Sequence, residues 1–226
     1  MRRSTSTVAS FLCWLALPGA LASSPAIAAS AVALVSSRAT LIDPQTVNWD
    51  QLGPAGTQVS QPFQASASGG YTFTVLKNNS DTPYVRADEG DGFTGDFLPG
   101  EKLLYSTSLT AFDFRFQTPI ESVGGQIQID RGGQWTPFVR VFTTDGGDFT
   151  FTLPPDFNNQ SADGSAPFVG VTANSPVISR ILFDSFFGGN TGINQLSIVV
   201  PEPTPWTLFF AIVTLRCRRR RASASR

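Results

Sequence analysis

The segment Phe112-Asp113-Phe114-Arg115-Phe116 decides the fold class, because apolar and charged residues alternate in it at a period of two. Side chains of a β-strand point alternately to the two faces of a sheet, so the segment predicts a strand with one buried and one wet face. Three phenylalanines on one strand face are far more often core residues than a platform for sugar rings. We therefore expect them in the core.

The same alternation recurs along the chain, and clusters of Gly, Asn, Asp and Ser separate the alternating segments. These segments are residues 71–75, 126–130, 149–153 and 195–198. Asp145-Gly-Gly-Asp148 is the clearest hairpin turn, because glycine readily adopts the positive φ of a tight reversal. The pattern predicts an all-β fold, an antiparallel β-sandwich that is jelly-roll-like, with roughly nine to eleven short strands.

Two tryptophans lie beside predicted turns, Trp49 in Asn-Trp-Asp-Gln-Leu-Gly and Trp135 after Gly-Gly-Gln. A tryptophan at the rim of a sandwich can stack on a sugar ring, and a tryptophan at the end of the core can close it against water. Burial at the end of the core is the favoured interpretation for both.

Composition excludes several classes of function. The 226 residues include no histidine, which removes imidazole bases and most imidazole metal sites. Between Ala29 and Val200 stand 8 basic and 16 acidic residues, a net charge of -8. Such a surface lacks the cationic stripe that binds phosphate backbones, so we expect no nucleic acid partner. Both cysteines, Cys13 and Cys217, lie in the two end segments of the chain, so the body between them holds no thiol.

Residues 1–28 have the three parts of a secretory signal peptide. Arg2-Arg3 begins the chain, ten apolar or small residues follow from Val8 to Leu17, and small residues precede a cleavage position after Ala28. The alternative is an uncleaved anchor, but ten helical residues reach only about 15 Å of the roughly 30 Å hydrocarbon thickness. The arginine pair also permits a twin-arginine signal, although general export fits the following residues better.

The other end of the chain has three parts in series. Val200-Pro-Glu-Pro-Thr-Pro205 comes first, then the apolar segment Trp206–Leu215, then a basic end with Arg216, Arg218, Arg219, Arg220 and Arg221. Prolines keep a segment extended, and arginines after an apolar segment stay on the cytoplasmic side of a membrane. The alternative interpretation is a poorly packed C-terminal strand with a basic end.

This tail resembles the PEP-CTERM sorting signal, the tag of exosortase substrates in Gram-negative bacteria. The resemblance implies recognition at Pro201-Glu202-Pro203 by a membrane-embedded exosortase, transient attachment to the inner membrane through a C-terminal hydrophobic sorting helix, and release to the cell surface or extracellular matrix, often alongside exopolysaccharide. The domain organisation that follows is a signal peptide at 1–28, a β-sandwich domain at 29–199 and a sorting signal at 200–226.

The densest charged stretch runs from Arg86 to Glu101 and suggests a possible calcium site. Ca²⁺ takes several hard oxygen ligands, and Asp88, Asp91 and Asp96 would supply carboxylates. The run lacks the spacing of an EF-hand, and solvated turns between strands explain it without any metal. Calcium is therefore one of two interpretations of this loop, and no other cofactor is expected.

Three functions compete. The favoured one is a non-catalytic exported surface or matrix protein that associates with exopolysaccharide. The second is a calcium-assisted carbohydrate-binding module, since residues 163–171 and 178–183 are similar to the closing strands of carbohydrate-binding jelly rolls. The third is an enzyme, which without histidine would need opposed carboxylates, and Asp88, Glu89, Asp91 and Glu101 are merely neighbours in sequence. We expect no enzymatic activity.

Overall fold

A computed structural model describes residues 30–77, 82–108, 111–186 and 190–201 of the chain. These residues form seventeen β-strands and two short 3₁₀ helices, Arg38–Thr40 and Trp49–Leu52. The strands are β1 Val32–Val35, β2 Gln45–Val47, β3 Gln58–Val59, β4 Phe63–Ser66, β5 Thr72–Lys77, β6 Tyr84–Glu89, β7 Gly92–Phe93, β8 Lys102–Ser106, β9 Phe112–Ile120, β10 Ser122–Ile129, β11 Gly133–Thr143, β12 Asp148–Thr152, β13 Asp156–Asn158, β14 Phe168–Ala173, β15 Ile178–Phe186, β16 Thr191–Ile193 and β17 Leu196–Val199.

The strands form two sheets that pack as a sandwich. The ten-stranded sheet has the order β1-β14-β10-β16-β8-β6-β3, with β17 between β10 and β2 and with β7 beside β6. The seven-stranded sheet has the order β12-β11-β15-β9-β5-β4, with β13 on the far half of β11. Strand pairs are antiparallel except β6 with β7. The predicted all-β antiparallel sandwich is confirmed.

Eight strands give the sandwich the topology of a jelly roll. In chain order they are β8, β9, β10, β11, β12, β14, β15 and β16. The first pairs with the eighth, the second with the seventh, the third with the sixth and the fourth with the fifth. A long hairpin rolled up in this nested way is the jelly roll. β17 then follows β16 and continues the pairing with β10.

The main core lies between the sheets and is rich in aromatic rings. Phe112 and Phe114 have no exposed surface and Phe116 is 6% exposed, which confirms their prediction as core residues. The Phe114 ring contacts the rings of Phe73, Phe112, Phe183 and Trp49. Burial of one such side chain contributes roughly 1.5–3 kcal/mol, so this cluster is a large part of what stabilises the sandwich.

Both tryptophans are buried, as the sequence predicted. Trp49 and Trp135 have no exposed surface. The indole nitrogen of Trp49 donates to the backbone oxygen of Asn194 at 3.1 Å, just before β17 begins. Burial of both tryptophans leaves neither ring free to stack on a sugar.

The hairpin at Asp145-Gly-Gly-Asp148 joins β11 and β12. Gly146 has φ +87°, which a residue with a Cβ rarely adopts. The amide of Gly146 donates to the oxygen of Thr143, and the amide of Thr143 donates to the oxygen of Gly147. The glycine pair therefore fixes the reversal that places β12 at the edge of the sheet.

Three polar residues that alternation assigns to the wet face, Asp113, Gln128 and Ser197, are in fact buried. Asp113 is 1% exposed because Arg115 and Arg180 both bind its carboxylate. Gln128 has no exposed surface because its side chain bonds to Asp96. The burial of Asp113 and that of Gln128 each involve a partner far away in sequence, Arg180 and Asp96.

Candidate functional site

The charged stretch Arg86–Glu101, which we call the acidic loop, contains most of β6 and all of β7 and ends just before β8. It covers a small second core. Phe93, Phe97 and Tyr105 are the aromatic members of this core, and Leu103 and two alanines complete it. Phe93 contacts both other rings. Because these side chains are buried against one another, the loop is packed into the fold, and the positions of its carboxylates are fixed.

Asp88 lies among cations. Its carboxylate accepts hydrogen bonds from Arg86 and from the Lys102 ammonium, the latter at 2.8 Å. Arg86 is itself 2% exposed and also bonds to Asp50 at 2.9 Å. Burial would raise the pKa of Asp88, but the bonds from Lys102 and Arg86 outweigh it and lower that pKa. These cations occupy the position that a metal ion would need on this carboxylate.

Asp96 points into the protein and is 1% exposed. Its Oδ1 accepts from the amide of Ser161 at 2.8 Å and from the Ser161 hydroxyl at 3.0 Å. Its Oδ2 accepts from the amide of Asn159 and from Gln128 Nε2, both at 3.0 Å. Burial raises the pKa of Asp96, and these donors together bring it below its ordinary value. Asp96 therefore fastens residues 159–161 to the acidic loop.

Asp91 is exposed at the tip between β6 and β7, and its backbone exchanges hydrogen bonds with Asp88. Of the three carboxylates predicted as calcium ligands, Asp88 therefore faces two cations, Asp91 faces the solvent and Asp96 faces the interior. Within residues 30–77, 82–108, 111–186 and 190–201, no three acidic or cysteine side chains gather where they could hold a metal ion. The geometry favours the interpretation of this loop as a structural element.

Glu89 is a carboxylate of this loop that sequence reasoning considered only for catalysis, and the structure places it in the interior. It is 4% exposed, and its Oε1 accepts from the amide of Gly95 at 2.8 Å. Its Oε2 is buried and has no hydrogen-bond partner. Burial is the largest cause that raises the pKa of Glu89, and the nearby Asp96 and Glu101 charges add to it. A run of alternating acidic and glycine residues gives no sign of which carboxylate turns inward.

The chain leaves the sandwich beside a shallow groove. β17 ends at Val199, and Pro201 forms one wall of this groove of about 530 Å³. Asp43 and Glu121 are its charged lining residues, and Ile42, which is 78% exposed, lies at its edge. Pro201 is thus placed at the surface, directly after the last strand.

The rest of the predicted sorting motif, Glu202 and Pro203, lies outside the described residues, as do the tail arginines Arg216, Arg218, Arg219, Arg220 and Arg221 and the predicted signal peptide at 1–28. In the part of the chain that is described, no helix has the length and apolar character needed to cross a membrane.

Comparison with known proteins adds no relative. No protein-family model matches the sequence, and no curated protein matches it.

Proposed function

We propose that this chain is a non-catalytic exported protein, sorted through its C-terminal tail by an exosortase, whose β-sandwich works at the cell surface or in the extracellular matrix. Export machinery and the exosortase would be its partners during delivery, with the inner membrane as a transient site. Exopolysaccharide would be its partner afterwards.

One observation carries the proposal: the jelly roll is complete between the two positions at which we expect processing. All strands of the described residues fall between Val32 and Val199. Cleavage after Ala28 would leave three residues before β1, and cleavage at Pro201–Pro203 would come just after β17. A protein whose tags are removed must keep its fold without them, and the eight strands that pair to form the jelly roll all lie within the residues that would remain.

Contacts at the two ends support this arrangement. The Ser30 amide donates to Asp145 Oδ2 at 3.0 Å, which ties the beginning of the body to the β11–β12 hairpin. β17 is held between β10 and β2 and is buried at three of its four residues. Each end of the body is therefore fixed by contacts among the described residues.

The acidic residues support a non-catalytic role. Asp88 is paired with cations, Asp96 is enclosed by four donors, and Glu101 Oε2 accepts from the amide of Leu98 at 3.0 Å. Hydrolysis by carboxylates needs an acid and a base that face each other across a substrate cleft. These three side chains are instead engaged in holding the loop together.

The test is to express the chain with Pro201, Glu202 and Pro203 replaced by alanine and to compare it with a matched Thr204→Ala control. We expect the triple variant to stay in the membrane fraction with its C-terminal tail uncleaved, and the control to be processed like the wild type. Equal release of both variants in cleaved form would refute sorting through this motif.

A further inference from the structure

The outer face of the seven-stranded sheet carries an ordered set of aromatic and charged side chains. On β11 the outward residues are Phe138, Arg140 and Phe142, since Val139 and Val141 are buried between them. Residues directly opposite in register share a face. The register therefore adds residues from β12, β15 and β9 to this outer face: Asp148, Thr150, Thr152, Arg180, Leu182, Asp184, Asp113 and Arg115.

Exposed phenylalanines occur on this face. Among the described residues the phenylalanines with large exposure are Phe157 at 58% and Phe186 at 45%. Phe157 lies opposite Gln134 and Phe186 lies opposite Thr136, both outward positions of β11. The Phe186 ring stacks on the Phe138 ring at 4.3 Å with an angle of 23° between the planes. Exposure of such rings costs hydration free energy, which a ligand that covers them would recover.

The arginines beside these rings are all held by carboxylates. Arg140 binds Asp148 through two hydrogen bonds of 2.8 and 2.6 Å. Arg180 and Arg115 both bind Asp113. Arg140 and Arg180 also lie over the ring of Phe142, at 5.0 and 4.7 Å from its centre. The guanidinium groups are held in place before any ligand arrives, so little side-chain entropy remains to be lost.

The face carries no net charge, because three arginines stand with Asp113, Asp148 and Asp184. This contrasts with the body, whose net charge is -8. Each of these arginines is already bound to a carboxylate, so an acidic polymer would have to compete with Asp113 and Asp148 for them, and a basic peptide would meet carboxylates that already hold cations. Flat apolar rings beside fixed donors and acceptors suit a ligand with both apolar faces and hydroxyl groups, which is the chemistry of an uncharged sugar chain.

We propose that this outer face, built on β11 and β15 and containing Phe138, Phe157 and Phe186, binds an uncharged polysaccharide. The inference deepens the proposed function, on which it rests for the setting in which such a polymer is met. The aromatic rings provide the stacking surface, and Asp184 with Thr152, which flank Phe138, provide hydrogen bonds to hydroxyl groups.

The test uses the full-length chain, purified in detergent, in sedimentation assays with insoluble cellulose and curdlan and in affinity electrophoresis with dextran and galactomannan. Alginate serves as the acidic comparison. We expect retention by at least one of the uncharged polymers, and retention about tenfold weaker after Phe186→Ala or Phe157→Ala. Ile42→Ala, which removes an exposed apolar side chain elsewhere, is the matched control and leaves retention unchanged.

The proposal would be overturned if no uncharged polymer retained the protein, or if alginate alone did. It would equally be overturned if Ile42→Ala lost as much retention as the phenylalanine variants, or if retention survived both phenylalanine variants. A dimer that dissociates on Phe186→Ala would also overturn it, because the face would then serve self-association. Phe157 is mostly exposed, so its replacement keeps the test valid if Phe186→Ala fails to fold. Failure of the sorting proposal would give a different result, because the termini would be uncleaved while retention by the polysaccharide was unaffected.

Discussion

Replacement of Asp96 by asparagine tests whether the acidic loop is held by internal hydrogen bonds or by a metal ion. The variant keeps one oxygen, which can still accept from the amide and hydroxyl of Ser161. It places an NH₂ group where Oδ2 accepts from Asn159 and Gln128. Two hydrogen bonds are therefore lost, and donors face donors in a site that is 1% exposed.

The magnitude follows from those two bonds. A hydrogen bond to a charged group contributes about 1.5–3 kcal/mol, and a buried donor left without its acceptor costs a similar amount. The effects of neighbouring bonds overlap, so we expect Asp96→Asn to lower the free energy of unfolding by about 3–5 kcal/mol. For a domain of this size, such a loss lowers Tm by roughly 8–16 °C.

The assay is thermal unfolding followed by near-ultraviolet circular dichroism, with calcium or with a chelator. Asp91→Asn, at the exposed tip of the same loop, is the control and is expected to change stability by less than about 0.5 kcal/mol. Calcium should change neither the wild type nor the variants. The reasoning is refuted if calcium raises the Tm of the wild type and not of Asp96→Asn, or if the two variants are equally stable.

The pH dependence gives a second measurement on the same residue. The pKa of Asp96 is lower in the folded protein than its ordinary value of 3.8. A carboxyl group with a lowered folded pKa stabilises the fold above its unfolded pKa, and this contribution disappears as pH falls through the folded pKa. The stability difference between wild type and Asp96→Asn should therefore be constant above about pH 5 and should shrink below pH 3.8.

Three further predictions concern other parts of the chain. Burial raises the folded pKa of Glu89 above 4.5, so ionisation of Glu89 opposes folding. In thermal scans Glu89→Gln should therefore gain stability relative to the wild type as pH rises above 4.5, and a stability difference that does not change with pH would contradict this. Phe114→Ala, which removes a fully buried ring from the main core, should lower the free energy of unfolding by about 3–5 kcal/mol in the same scans; a loss below 1 kcal/mol would mean the ring is not packed as described. Replacement of Arg218, Arg219, Arg220 and Arg221 by serine should reduce retention at the inner membrane during sorting, measured by pulse-labelled fractionation, because these cations are expected to hold the tail on the cytoplasmic side; unchanged retention would remove that role.

The sequence predicted the features that depend on local pattern. Alternation at Phe112–Phe116 identified the strand and its core face, because the period of two is a property of neighbouring residues. The glycine pair at 146–147 identified the β11–β12 hairpin, because positive φ is a local demand.

What the sequence could not predict depends on distant partners. Asp113 looks solvent-exposed in its strand, and its burial involves Arg180, 67 residues later, as well as the nearby Arg115. Asp88 and Asp96 look like neighbouring metal ligands, yet the loop turns one toward Arg86 and the other toward residues 159–161. The neutral outer face likewise appears only when the register brings β11, β12, β15 and β9 side by side.

The most direct test of the central claim is the mass of the mature protein, measured by mass spectrometry on material recovered from both the cell envelope and the culture medium. The account predicts an N-terminus at Ala29 and a C-terminus within or just before Pro201–Pro203, with the jelly roll complete. A chain recovered only with both Met1 and Arg226 in place would contradict the proposal that the two ends are removable delivery signals.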